Sequence, residues 1–145
     1  MKPDINIALL NAAQEIINRF SPLIDDEYEK SRLGSWGALI LISALKFNDA
    51  SSSLKKENHD IIEWLREHST ISMKELDQFK ILDNKTIDQY DQDNQSLREM
   101  FDKQFEAIQE EGDKISLKEG IDLMRFMHQR RKVSDLIGML QQQEG

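Results

Sequence analysis

No proline interrupts the chain from Leu23 to its last residue, and within that span the stretch Tyr28 to His68 keeps one helical phase. It reads YEKSRLGSWGALILISALKFNDASSSLKKENHDIIEWLREH, with Trp36, Ile40, Ser43, Phe47, Ala50, Leu54, Asn58, Ile61 and Leu65 separated by steps of three or four. Such steps keep residues on one face of a helix and scatter them over both faces of a strand. A continuous helix here would run for about 60 Å, at roughly 1.5 Å per residue. A compact domain of 145 residues measures only about 40 Å across. Either the helix breaks, at Asn48-Asp49 or at Ser51-Ser52-Ser53, or another chain covers the overhang. The apolar face stays in phase across the serines, so the spacing favours a long helix, continuous or kinked, in an oligomer.

The rest of the chain is consistent with a helical protein. Its length predicts a single domain able to bury a core without staples. Only six glycines and two prolines occur, which favours long regular elements over many turns. The absence of cysteine removes disulfides and thiolate chemistry, and fits a reducing cytoplasm. A net charge of −8 repels nucleic-acid phosphates, so no nucleic-acid partner is expected. The N-terminal residues are interrupted by polar groups at once, unlike a secretory signal. The most apolar run, Trp36 to Leu45, is about half of the roughly 20 residues a spanning helix needs. The expectation is a soluble cytoplasmic protein with no membrane partner.

Asp4 reads as the N-cap of a first helix whose apolar stripe runs from Ile5 through Leu9, Ala13 and Ile16 to Phe20, ended by Ser21-Pro22. Gly34 and Gly37 in the next helix imply close packing against the first. They lack the pattern and the preceding strand of a phosphate loop. Ser72 and Glu75 form a capping box for a short helix through Phe79. Residues 83–95, DNKTIDQYDQDNQ, are the most polar segment and predict a mobile loop. A helix follows from about Ser96 to Glu111, with Leu97, Met100, Phe101, Phe105 and Ile108 on one face and Gly112 beyond its end. Ser116 and Glu119 suggest a second capping box, and Ser134 or Asp135 a cap for a last helix, Leu136 to Leu140. The predicted class is all-α: a bundle of four to six helices organised around one long central helix or kinked helix pair.

The run Arg32-Leu33-Gly34, Leu39-Ile40-Leu41, Ala44 to Ala50, Glu57-Asn58 and Leu65-Arg66, with Pro3-Asp4, resembles a group of small all-helical bacterial proteins of unknown function. Genes for that group often lie near genes for acyl-CoA dehydrogenase-like and phosphotransferase-like enzymes. The resemblance covers roughly the first half of the chain and ends near Ser69. It implies an accessory role and brings no assigned activity.

Chemistry-bearing patterns are sparse. The residues three before His59, His68 and His128 are Lys56, Leu65 and Arg125, so the Glu-x-x-His of di-iron bundles is missing. No H-E-x-x-H occurs, and Gly112 to Glu119 fails as a calcium loop because Ile108 would hold the first ligand position. No metal, cofactor or catalytic set is expected. His128, Arg130, Arg131 and Lys132 form a basic cluster, read as a helix C-terminus opposing the macrodipole. Two functional readings remain. The first is a non-catalytic interaction module that forms a homodimer through Leu54, Asn58, Ile61 and Leu65, with Asn58 as a polar register marker. The second is a small enzyme or an anion-binding protein whose inter-helix pocket gathers Arg32, Trp36, Asn58 and His59.

Overall fold

The computed structural model describes residues 4–47, 49–82 and 84–132. Six α-helices and no strand occur among them, as the all-α reading requires. They are α1 (Ile5–Glu15), α2 (Glu27–Lys46), α3 (Ala50–His68), α4 (Met73–Leu76), α5 (Ile87–Glu111) and α6 (Lys114–Arg131). None is long and apolar enough to cross a membrane. The helix expected at Leu136 to Leu140 lies outside the described residues.

The long central helix is two helices, and the chain read as one domain divides into two compact units at the same place. α2 ends at Lys46, whose carbonyl accepts the Asp49 N–H at 3.1 Å in a three-residue turn. The break falls between Lys46 and Ala50, at the first of the two expected places, where the short polar side chain of Asp49 offers the backbone local alternatives to helical bonds. The serines after it stay helical in the first turn of α3.

The first unit contains α1 and α2. α1 runs on through a π-helical turn, Ile16–Phe20, and a 3-10 turn, Ser21–Leu23, that contains Pro22. Asp26 then caps α2, its Oδ1 accepting the Glu29 N–H at 2.9 Å, and the Ser21 hydroxyl donates to the Lys30 carbonyl at 3.0 Å. The buried residues are small: Ala13, Ser21, Gly37 and Ala44. A Cβ on Gly37 would lie 2.6 Å from Ile17 Cγ1 and 3.0 Å from Ile16 Cγ2, so this glycine permits the close approach of α2 to the end of α1. The face of α2 that packs runs through Gly37 and Ala44, one residue round from the predicted seam. Trp36 and Phe47, on the helix face singled out by the spacing, are therefore exposed, and Ile40 is half-buried. The apolar residues of α2 surround most of its circumference, which hides the phase of the small-residue stripe.

The second unit packs α3, α5 and α6 together, with α4 and the 3-10 turn Asp77–Phe79 laid against them. Ile61, Leu65, Leu97 and Phe101 have no solvent exposure, and Trp64, Ile108 and Met127 close the core around them. Ser72 caps α4 as expected, its Oγ accepting the Glu75 N–H at 3.2 Å, while its hydroxyl, and not its backbone N–H, meets the Glu75 carboxylate, also at 3.2 Å. The polar segment 83–95 is helical from Ile87 onward, so the predicted loop shrinks to its first few residues. Its start is a capping box at Thr86 and Gln89, with reciprocal bonds of 3.3 and 2.8 Å. α5 ends at Gly112, whose φ of 77° is the left-handed conformation favoured past a helix end. α6 begins at Lys114, two residues before the predicted Ser116 cap. Asp113 is its cap, with Oδ1 accepting from Ile115 N–H at 3.1 Å and Ser116 N–H at 3.3 Å.

Gly120 of α6 sits against an aromatic wall. A Cβ there would lie 2.7 Å from two carbons of the Phe105 ring and 3.3 Å from Trp64. Alanine gains about 1 kcal/mol of helix propensity over glycine, but forcing a methyl into a packed site costs roughly 1–3 kcal/mol. Gly120→Ala should therefore lower the urea midpoint of this unit. A raised midpoint would mean that α6 shifts away from Phe105 at no cost.

Candidate functional site

The first unit turns its large apolar side chains outward. On α2, Tyr28 is 73% exposed, Trp36 57% and Leu39 55%, with Leu45 and Phe47 also open. Ile5, Ile7, Phe20 and Leu23 are exposed on the preceding segment. Tyr28, Ser31, Arg32, Ser35, Trp36 and Leu39 line a shallow cleft of about 310 Å³. All six come from α2 at steps of three, four or one, so the cleft is a furrow along one helix face. The Ser35 hydroxyl donates back to the Ser31 carbonyl at 2.9 Å, and Arg32 Nη1 lies 3.8 Å from Glu29 Oε1. Arg32 and Trp36 thus share a face, as their spacing predicted, and the cation is already accompanied by a carboxylate of its own helix.

Asn58 and His59 lie elsewhere, in the second unit, and do not share a pocket. His59 is exposed beside a small depression of about 180 Å³ with Ile62, Glu63, Arg66, Leu76, Lys80 and Ile81. Asn58 is buried, and its side chain donates to the Tyr90 carbonyl at 3.0 Å. The predicted dimer strip is likewise taken up inside the chain: Ile61 and Leu65 belong to the core, and Leu54 is half-buried. α5 and α6, drawn partly from a segment read as loop, supply the surface that was assigned to a second copy. Asn58, Ile61 and Leu65 are consequently not available to a partner.

A polar layer that the residue pattern did not reveal crosses this core. Asn94 Nδ2 donates to Glu57 Oε1 at 3.0 Å and to Asn58 Oδ1 at 2.8 Å. Arg131 Nη2 donates to Glu57 Oε1 at 2.6 Å and to Asn94 Oδ1 at 2.8 Å, while Arg130 Nη2 reaches Asp60 Oδ2 at 2.6 Å. Part of the basic cluster at the end of α6 is therefore engaged in ion pairs with α3. The one available signal was that Thr86-x-x-Gln89 makes 87–95 helical, which puts Tyr90, Asn94, Leu97 and Phe101 on one face. No protein family, curated protein or solved structure matches this chain.

Proposed function

We propose that the chain is a non-catalytic helical interaction module that self-associates through its first unit. The observation that carries this reading is the α1–α2 pair, which buries four small residues and presents its aromatic and long aliphatic side chains to solvent. Among the described residues this unit has two helices, and neither covers these large apolar side chains. Contiguous exposed apolar surface of this kind marks an association site. The furrow on α2 has one wall, and a second copy of α2 supplies the other.

A two-fold crossing near Trp36 lays α2 antiparallel to its copy and completes a four-helix arrangement with the two α1 helices. It brings the acidic start of α2, Asp26 and Glu27, level with the partner's Lys46, so the charges complement one another. The interface then falls on Tyr28, Trp36 and Leu39, in the half of the chain that carries the resemblance to small all-helical proteins of unknown function. Light scattering coupled to size exclusion should give a dimer for the unmodified chain. Trp36→Glu with Leu39→Glu should give a monomer of undiminished helicity, because both side chains are exposed within the chain. A concentration-independent monomer for the unmodified chain, or an intact dimer for the double variant, overturns the reading.

A further inference from the structure

His68, the last residue of α3, is held from several sides. Its ring packs on Trp64 with centroids 5.1 Å apart, and Gln104 Nε2 donates to its carbonyl at 2.8 Å. Its Nδ1 lies 3.0 Å from Ser116 Oγ, and that hydroxyl lies 2.6 Å from Asp113 Oδ2. Serine has one hydroxyl proton, and the carboxylate takes it. The Ser116 hydroxyl and the backbone amides of Ser116 and Ile115 hold the Asp113 carboxyl below its ordinary range, so Asp113 accepts and does not donate. Ser116 Oγ must then receive its other bond from the ring, which puts an imidazole proton on Nδ1 and turns Nε2 to the opposite side.

Nε2 faces two carboxylates. Glu119 Oε2 is 2.7 Å from Nε2 and Glu67 Oε2 is 3.8 Å from it. Nε2 is buried, yet has no hydrogen-bond partner, because the near Glu119 oxygen lies off the direction of a ring N–H. Off-axis is where a carboxylate belongs when an ion sits on the nitrogen's axis. Ligand atoms around a tetrahedral ion with bonds of about 2.0 Å are roughly 3.3 Å apart, and the two distances bracket that value. All three donor atoms lie within 4.8 Å of one another. We propose that Glu67, His68 and Glu119 bind a divalent cation of the zinc type, with water completing its coordination. The hydrogen bond from Nδ1–H to Ser116 is the outer-shell contact that fixes a ligating histidine's tautomer and orientation. One nitrogen with two carboxylates suits zinc better than calcium, which takes six to eight oxygens.

The test uses the full chain without a histidine tag, titrated with zinc chloride against a chromophoric chelator, alongside imidazole nitrogen NMR. One ion per chain should bind, moving the Nε2 resonance of His68 while Nδ1 stays protonated. Glu119→Gln, at an exposed position, should weaken binding roughly 10-fold or more, and Ser116→Ala roughly 10–100-fold through the lost outer-shell contact. His59→Gln and His128→Gln should bind as the unmodified chain does. Equal affinity in the unmodified and Glu119→Gln chains, or a His68 Nε2 that stays protonated in excess zinc, overturns the proposal. The proposal is independent of pairing through the first unit, and light scattering on the same samples separates the two.

Discussion

Phe101→Ala should remove roughly 3–5 kcal/mol from the stability of the second unit, the usual cost of deleting a fully buried phenylalanine. Phe101 has no solvent exposure and stands where three helices meet, its ring 4.6 Å from Trp64 and 5.7 Å from Phe105. Neither neighbour can fill the space readily. Trp64 is fixed between Phe101 and His68, and Phe105 is backed by Gly120. The residual cavity adds its own term to the lost burial. Urea denaturation followed by fluorescence isolates this unit if Trp36→Phe serves as the background, since Trp64 is then the remaining tryptophan. Phe47→Ala, read by far-UV circular dichroism in the otherwise unmodified chain because Phe47 belongs to the first unit, should cost less than about 1 kcal/mol, as expected for a substantially exposed side chain. A loss below about 2 kcal/mol for Phe101→Ala, or a larger loss for Phe47→Ala, would reverse the assignment of the core.

That contrast shows where the sequence was legible. The helical class, the Ser72 cap, the stop at Gly112 and the face Leu97–Phe101–Ile108 all rest on local spacing and local capping, which a linear reading captures. The face of α2 was misread because Leu33, Leu39, Ile40, Leu41 and Leu45 leave no polar side to fix the phase. The packed stripe is made of Gly37 and Ala44, which carry little hydrophobic weight. The partner of α3 was misassigned for a different reason. Asp83 to Gln95 is polar in composition, yet Thr86 and Gln89 start a helix there, and Tyr90 and Asn94 turn inward from it. Once that helix was missed, the apolar strip of α3 lacked a cover within the chain, and a second copy was the remaining candidate. His68 and Ser116 escaped notice because they are far apart in sequence and meet only when α6 packs on α3.

The polar layer in the second unit supports the other large effect. Glu57 is 3% exposed, and its carboxylate is neutralised by Arg131, which is itself about half exposed. With Arg131 in place the bonds around Glu57 are made: both Asn94 amide hydrogens, both hydrogens of Arg131 Nη2 and the Asn58 amide find acceptors on α3 or α5. Arg131→Met keeps much of the side-chain packing and leaves the carboxylate buried without its cation. Breaking a buried pair from one side costs about 3–5 kcal/mol, and solvent access through the Arg131 side brings the expected loss to roughly 2–3 kcal/mol. Glu57→Gln added to Arg131→Met should recover part of it, because glutamine still accepts from Asn94 and carries no charge. The coupling between the two substitutions, read from a double-mutant cycle at neutral pH, should exceed about 1 kcal/mol. Asn58 then acts as a polar marker of register within one chain, aligning α3 with α5 through the Tyr90 carbonyl, and not between two copies. A loss under about 0.5 kcal/mol for Arg131→Met would show that water replaces the guanidinium and that the layer fixes alignment without contributing stability.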